Sequence, residues 1–233
     1  MSEISGNVRY ILDSINEAAV KAGRSPEEIA LVAASKMNSA DRVREAIAAG
    51  VKICGENRVQ ELEEKLKAGA YEGAEIHFIG HLQRNKVKNV TGKCDLIQSV
   101  DSTELMSLIS KRAESMGIVQ NVLVELNVGE EESKSGVTFA EADEFIAAAA
   151  NYPGLHVCGL MCIPPFDADV KKTRNYFQTM YNLFIDIKAK KYDNVSMNIL
   201  SMGMSGDFRE AIAEGANMVR VGSAIFGMRQ YHK

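Results

Sequence analysis

The sequence predicts an α/β fold: a (β/α)8 barrel of the TIM type, one domain over residues 1–233, with an extra helix at its start. Three observations predict it. Short apolar runs occur eight times along the chain, and amphipathic text separates them. The 233 residues suit eight such units around one core. Most of the runs are apolar throughout rather than alternating, as expected of parallel strands covered on both faces. A doubly wound open sheet is the alternative. It usually has fewer strands and a Gly-rich first turn, and no G-x-G-x-x-G follows the first run.

Taken in order, the extra helix spans 2–22 and the first strand is ALVAAS, 30–35. SADRVREAIAAG follows as a helix, with Ser39 and Asp41 as cap candidates and Gly50 at its end. VKICG (51–55) and EIHFIG (75–80) are the second and third strands, and LIQSV (96–100) is the fourth. STELMSLISKRAESMG, 102–117, has helical apolar spacing and stops at Gly117. NVLVELNV (121–128), LHVCGLM (155–161), MNILSM (197–202) and NMVRVG (217–222) complete the eight. FAEADEFIAAAANYPG and the long stretch 167–191 are helices between them. No Pro-rich linker, low-complexity segment or domain boundary is visible.

Composition excludes some functions. Net charge is −4, so no general basic field draws nucleic acid or an anionic membrane. Trp is absent and aromatics are 6%, which disfavours a base-stacking surface. No apolar run approaches the ~20 residues of a membrane span. The N-terminus, MSEISGNVRYILDSINEA, lacks the basic-then-apolar design of a signal peptide. Cys54, Cys94, Cys158 and Cys162 have no CxxC spacing and read as reduced thiols of a cytoplasmic protein.

In a barrel of this type, function sits at the C-terminal ends of the strands. Those positions here are Lys36, Asn57, His81, Ser99, Asn127, Met161, Ser201 with Ser205, and Gly222 with Ser223. Nearly all are polar or small and follow apolar runs. Lys36 ends LVAASK, and two readings stand. Its head can snorkel to water from the barrel rim. Alternatively, lost hydration lowers its pKa from about 10.4 toward roughly 7–8, and the neutral amine attacks aldehydes to form Schiff bases. SMGMSGDF and VGSAIFG, after strands seven and eight, are either ordinary serine-capped turns or an anion site of exposed backbone N–H groups. Strands eight and one adjoin once a barrel closes. A ligand with a phosphate at one end and an aldehyde at the other would bridge the two places, and pyridoxal 5′-phosphate (PLP) is such a molecule.

The segments SKM, GENRVQEL, HFIGHLQRNK, IQSVDS, GEEESKSGV, GLMCI and SMGMSGDFREAIAEGANMVRVGSAIFG together resemble the PLP homeostasis protein family, the PLP-binding proteins of the proline-synthetase co-transcribed type. The match runs in order from about residue 30 to 229. The resemblance implies a single PLP-binding barrel like the N-terminal domain of alanine racemase, with PLP in Schiff-base linkage to Lys36. It implies phosphate contacts at Ser201, Ser205, Gly222 and Ser223, Arg220 facing the pyridine nitrogen, and Asn57 near the ring's other edge. His81 would be a neighbour, and the SKSG segment would help to close the pocket. Many relatives carry a proline a few residues after the lysine, whereas this chain reads SKMNSAD.

Arginine can only donate, so a ring nitrogen facing Arg220 must accept, which weakens the ring as an electron sink. Related racemases add a tyrosine from a further domain. This chain ends at GMRQYHK, and Tyr231 reads as a tail residue. The expectation is therefore a PLP-binding protein without robust catalysis, taking part in vitamin B6 homeostasis. PLP-dependent apo-enzymes would be its clients, the chain would be a monomer, and nucleic acid and membrane would play no part. The alternatives are a PLP-dependent racemase, a Schiff-base aldolase acting on a phosphorylated substrate, or an interaction protein without cofactor. His77 and His81 have HxxxH spacing, but a strand between them would send them apart rather than onto one zinc. Cys158 and Cys162 read as buried thiols near the pocket, with Cys162 a candidate for redox sensitivity.

Overall fold

The computed structural model describes residues 2–129, 135–165 and 169–227. Eight parallel strands close into a barrel in chain order, β1 beside β8. They are β1 Ala30–Ala34, β2 Ile53–Glu56, β3 Glu75–Phe78, β4 Leu96–Val100, β5 Gln120–Leu126, β6 Leu155–Cys162, β7 Val195–Ser201 and β8 Met218–Val221. The helices are α1 Glu3–Lys21, α2 Ala40–Ala48, α3 Val59–Lys67, α4 Val87–Val90, α5 Thr103–Ser115, α6 Phe139–Ala147, α7 Val170–Lys190, α8 Phe208–Ala213 and α9 Ser223–Phe226. The expected (β/α)8 barrel with its leading helix is the observed fold. No helix among the described residues is long and apolar enough to cross a membrane.

Local chemistry explains the helix starts. Ser39, Ser102 and Thr138 cap α2, α5 and α6, each side-chain oxygen accepting from a backbone N–H three residues on. Asp169 caps α7, accepting from Lys171 N–H at 2.9 Å. Strand ends differ from expectation where the pairing stops. β1 ends at Ala34, so Ser35 and Lys36 begin the loop, although Ser35 N–H still reaches Gly55 O at 2.9 Å. β2 begins two residues later than its apolar text and β5 ends two residues earlier, leaving Asn127 and Val128 beyond it.

The period of two along each strand sorts side chains into two cores. Leu31 and Ala33 of β1 pack outward among the helices, with Val43, Leu62, Phe177 and Phe208 in the same cluster. Val32 packs inward with Ile79, Leu96, Leu123, Met161 and Met218. The long helix α7 buries Phe177, Met180, Phe184 and Ile187, so its apolar face covers the barrel. Gly159 stands where β6 shifts register against both neighbours. Its φ is +155°, and a Cβ there would lie 1.8 Å from the Ile199 carbonyl oxygen.

The ring is joined unevenly. β5 and β6 pair along their length, whereas β7 and β8 share one register pair, Ser201 opposite Met218. Asn217 reinforces that seam from its side chain, accepting from Leu200 N–H at 2.7 Å and donating to Asn198 O at 2.6 Å.

Candidate functional site

The same parity that puts Val32 inside the barrel carries Ala34 and then Lys36 toward its C-terminal mouth. On β2, Ile53 and Gly55 face inward and Asn57 follows; on β8, Met218 is followed by Arg220 and Gly222. These positions meet around a cavity of about 310 Å³, whose wall includes Lys36, Asn57, Ser205, Arg220, Gly222 and Ser223. Ala34, Ile79, Ile163, Met204 and Phe226 make its apolar part.

Lys36 is half-buried. Met37, next to it, has φ +61°, an uncommon left-handed conformation for a side chain of its size. Its N–H donates to Glu61 Oε2 at 2.5 Å, which holds the turn. Asn38 donates to the Lys36 carbonyl at 3.0 Å and accepts from Arg42 Nε at 3.0 Å. Arg42 in turn donates to the Phe226 carbonyl, joining the first loop to the last.

Behind Lys36, between β2 and α3, lies a buried polar cluster. Glu56 Oε1 accepts from Ser35 Oγ, from Lys65 Nζ at 2.5 Å and from Tyr71 Oη at 3.0 Å. Lys65 Nζ also reaches the Ser35 carbonyl at 2.8 Å. The residue before Lys36 is thus held by side chain and backbone.

Opposite, the loop after β7 places Ser205. Gly203 has φ +91°, and a Cβ there would approach Ala211 Cβ to 2.5 Å, so α8 packs directly on it. Asp207 Oδ1 accepts from Met204 N–H at 2.6 Å, and burial pushes its carboxyl above the usual range. Ser205 Oγ then accepts from two backbone groups, Gly222 N–H at 3.2 Å and Ala224 N–H at 3.4 Å. Two main-chain donors aimed at one oxygen form an anion-binding arrangement.

Arg220 is 3% exposed. Its Nη1 donates to Ser201 Oγ at 2.6 Å and its Nη2 to the Cys162 carbonyl at 2.8 Å. Burial works against its charge, and the acids Glu125 and Asp207 work for it. Burial, and next Asp101, push the Glu125 carboxyl up to about 7, with Arg220 pulling the other way.

Six of the seven residues expected at the site line one cavity. Ser201 is the one that does not. Its side chain is fully buried and its hydroxyl is engaged by Arg220 and by Gln98, the latter at 2.7 Å, so it stands behind the cavity wall. His81 lines two neighbouring depressions instead of this cavity. Ser135 Oγ at 3.2 Å and Asp101 Oδ2 at 3.6 Å both approach its Nδ1, so the three do not form a relay through the ring. His77 is buried inside the barrel while His81 is 58% exposed. Ser99 is buried in β4, its hydroxyl donating to Gly80 O at 2.6 Å, and Met161 belongs to the inner core. Cys162 is fully buried with its thiol pushed up to about 12, which removes it as an accessible redox sensor. Tyr231 and residues 130–134 of the GEEESKSG segment lie outside the described residues.

PLP fits this set of groups on an observation independent of sequence. Asn57 Oδ1 is buried at the cavity without a hydrogen-bond partner, an acceptor awaiting a donor. Gly222 and Ala224 offer main-chain N–H groups beside the Ser205 hydroxyl, and Lys36 offers an amine.

Comparison with known proteins gives the family. The profile of the alanine racemase N-terminal domain matches residues 13–230. The pyridoxal phosphate homeostasis protein of Aquifex aeolicus is 43% identical over 221 residues, 95% of this chain and 96% of that one. Its namesake in Escherichia coli K12 is 39% identical with full coverage of both. PipY of Synechococcus elongatus, solved with PLP bound, superposes with a TM-score of 0.80 at 30% identity, over 91% of this chain and all of that one. The chain therefore belongs to the pyridoxal phosphate homeostasis proteins, within the alanine racemase N-terminal domain family.

Proposed function

We propose that this chain binds PLP as a Schiff base on Lys36 and takes part in cellular PLP homeostasis without robust catalysis of its own. One observation carries the reading: an amine, a pair of converging main-chain donors, a buried arginine and an orphan amide oxygen line one cavity in a chain of this family. When bound, PLP supplies an aldehyde for the lysine and a ring that can take up electron density.

The protein's own groups divide the work. Lys36 forms the covalent link. Ser205, Gly222 and Ser223 hold the phosphate end. Arg220 directs its remaining N–H donors at the ring nitrogen, and Asn57 lies toward another edge. The non-catalytic part of the reading rests on the wall itself. Among the described residues that line the cavity, only Lys36 and Arg220 have ionisable side chains. Arg220 keeps its proton, so no second group there exchanges one with a substrate.

Addition of PLP should produce a visible absorbance band, and borohydride should trap an adduct that Lys36→Ala lacks. An adduct that persists in Lys36→Ala would refute the assignment. Turnover of alanine enantiomers or of a phosphorylated aldehyde at ~1–10³ s⁻¹ would make the chain an enzyme instead. We place the protein in the cytoplasm as a monomer that delivers PLP to apo-enzymes. Sedimentation gives the mass. Reactivation of an apo-enzyme by the loaded protein, timed against free PLP, decides delivery.

A further inference from the structure

A line of hydrogen bonds runs through the barrel interior. Arg220 Nη1 donates to Ser201 Oγ at 2.6 Å, and Ser201 Oγ donates to Gln98 Oε1 at 2.7 Å. Gln98 Nε2 meets His77 Nδ1 at 3.0 Å, and His77 Nε2 lies 3.5 Å from Glu75 Oε2 at the opposite end of the barrel. Gln98 and Ser201 are fully buried, and His77 and Arg220 are 3% exposed.

The arginine end determines every proton along the line. Arginine only donates, so Ser201 presents a lone pair to it and turns its own O–H toward Gln98. With Gln98 Oε1 accepting from Ser201, the Gln98 amide donates to His77 Nδ1, and the neutral ring carries its proton on Nε2, toward Glu75. Gln98 is thereby oriented, oxygen toward Ser201 and amide toward His77. Burial lowers the His77 pKa to about 4, so the ring is neutral at physiological pH and its Nδ1 is free to accept. Without Gln98 the Ser201 hydroxyl would rotate. Without Ser201 the guanidinium would keep only the Cys162 carbonyl and could pivot about it.

We infer that Gln98 and Ser201 are positioning residues whose chain through the barrel sets the direction in which Arg220 points into the cavity. This deepens the proposed function and rests on it for the ligand that Arg220 meets. It also separates two roles for Ser201. A phosphate ligand would matter to PLP and not to pyridoxal, which lacks the phosphate. A support for Arg220 would matter to both.

The test uses full-length Ser201→Ala and Gln98→Leu, with Ser205→Ala for comparison and circular dichroism to establish folding. Gln98→Met, nearer in volume, replaces Gln98→Leu if that variant fails to fold. Binding of PLP and of pyridoxal is titrated in each. Ser201→Ala and Gln98→Leu should weaken both ligands by about tenfold and shift the visible band. Ser205→Ala should weaken PLP and spare pyridoxal. In the cofactor-free protein, ¹⁵N NMR should show separate, slowly exchanging Arg220 Nη signals in wild type that collapse in Ser201→Ala and Gln98→Leu. Loss of PLP alone in Ser201→Ala, or Nη signals that stay resolved in it, overturns the inference. A wild-type protein that gives no visible band with PLP overturns the proposed function, and the Nη signals then decide this inference by themselves.

Discussion

Lys65 Nζ lies 2.5 Å from Glu56 Oε1, and neither side chain is more than 6% exposed. The pair sits directly behind the residue that precedes Lys36. Removing one partner strands the other charge in the interior, a loss of about 3–5 kcal/mol. Lys65→Met should lower the urea midpoint accordingly and weaken PLP binding, because the Ser35 carbonyl loses its donor. The double variant Glu56→Gln, Lys65→Met should recover part of the stability. Full recovery of stability with PLP affinity still reduced would place the cluster's role in holding Lys36.

Gly80 backs onto Asn57. A Cβ at Gly80 would lie 2.3 Å from the Asn57 carbonyl oxygen and 2.7 Å from its Cα. Backbone cannot yield as a side-chain tip can, so Gly80→Ala should cost about 1–3 kcal/mol in a denaturant titration. It should also displace Asn57 at the cavity and reduce PLP affinity.

His77, buried, and Glu125, half-buried, give opposite pH dependences. His77 titrates near 4 in the fold against 6.5 unfolded, so the unfolded chain binds the extra proton and stability is lost as pH falls from 6.5 to 4. Glu125 titrates near 7 against 4.5, so the folded chain binds the extra proton and stability is lost as pH rises from 4.5 to 7. Each effect is about 3 kcal/mol, and they oppose one another where they overlap. Stability of the cofactor-free wild type should therefore change little between pH 5 and 6. His77→Gln should become less stable as pH rises through that window, and Glu125→Gln more stable. Parallel slopes in the two variants would contradict the assignment.

The thiols should be slow. Cys54, Cys94 and Cys162 are buried, and burial pushes each up to about 12; Cys158 is partly exposed and also raised. A thiol reagent at pH 7.5 should find no rapid reaction in the native protein and four equivalents after unfolding.

Much of this was legible in the sequence because parallel strands buried on both faces announce themselves as apolar runs. Lys36 and Asn57 stood out as polar residues following such text, whereas Arg220 was legible only through the family resemblance. Ser201 was legible as a strand-end residue but not in its role, because its partner Gln98 is over 100 residues away and only barrel closure brings them together. Gln98 did leave a signal, a glutamine in the apolar run LIQSV. The Glu56–Lys65 pair was hidden for the opposite reason: Lys65 lies in ELEEKLK, charged text that reads as a solvent face. His81 looked like a site residue from its strand end, yet the loop carries it to a neighbouring depression.

The seam between β7 and β8 has a dynamic consequence. Main-chain amides of a tightly laced sheet exchange with deuterated water only when the sheet opens, and they do so earliest where cross-strand bonds are fewest. Ser201 stands on the β7 side of that join, while Arg220 on β8 and Lys36 just beyond the end of β1 stand together on the other, β8 and β1 being paired from Ala30 opposite Met218 to Ala33 opposite Val221. On warming, the barrel should part between β7 and β8 first, so the amine and the guanidinium stay together after the serine has drawn away from them.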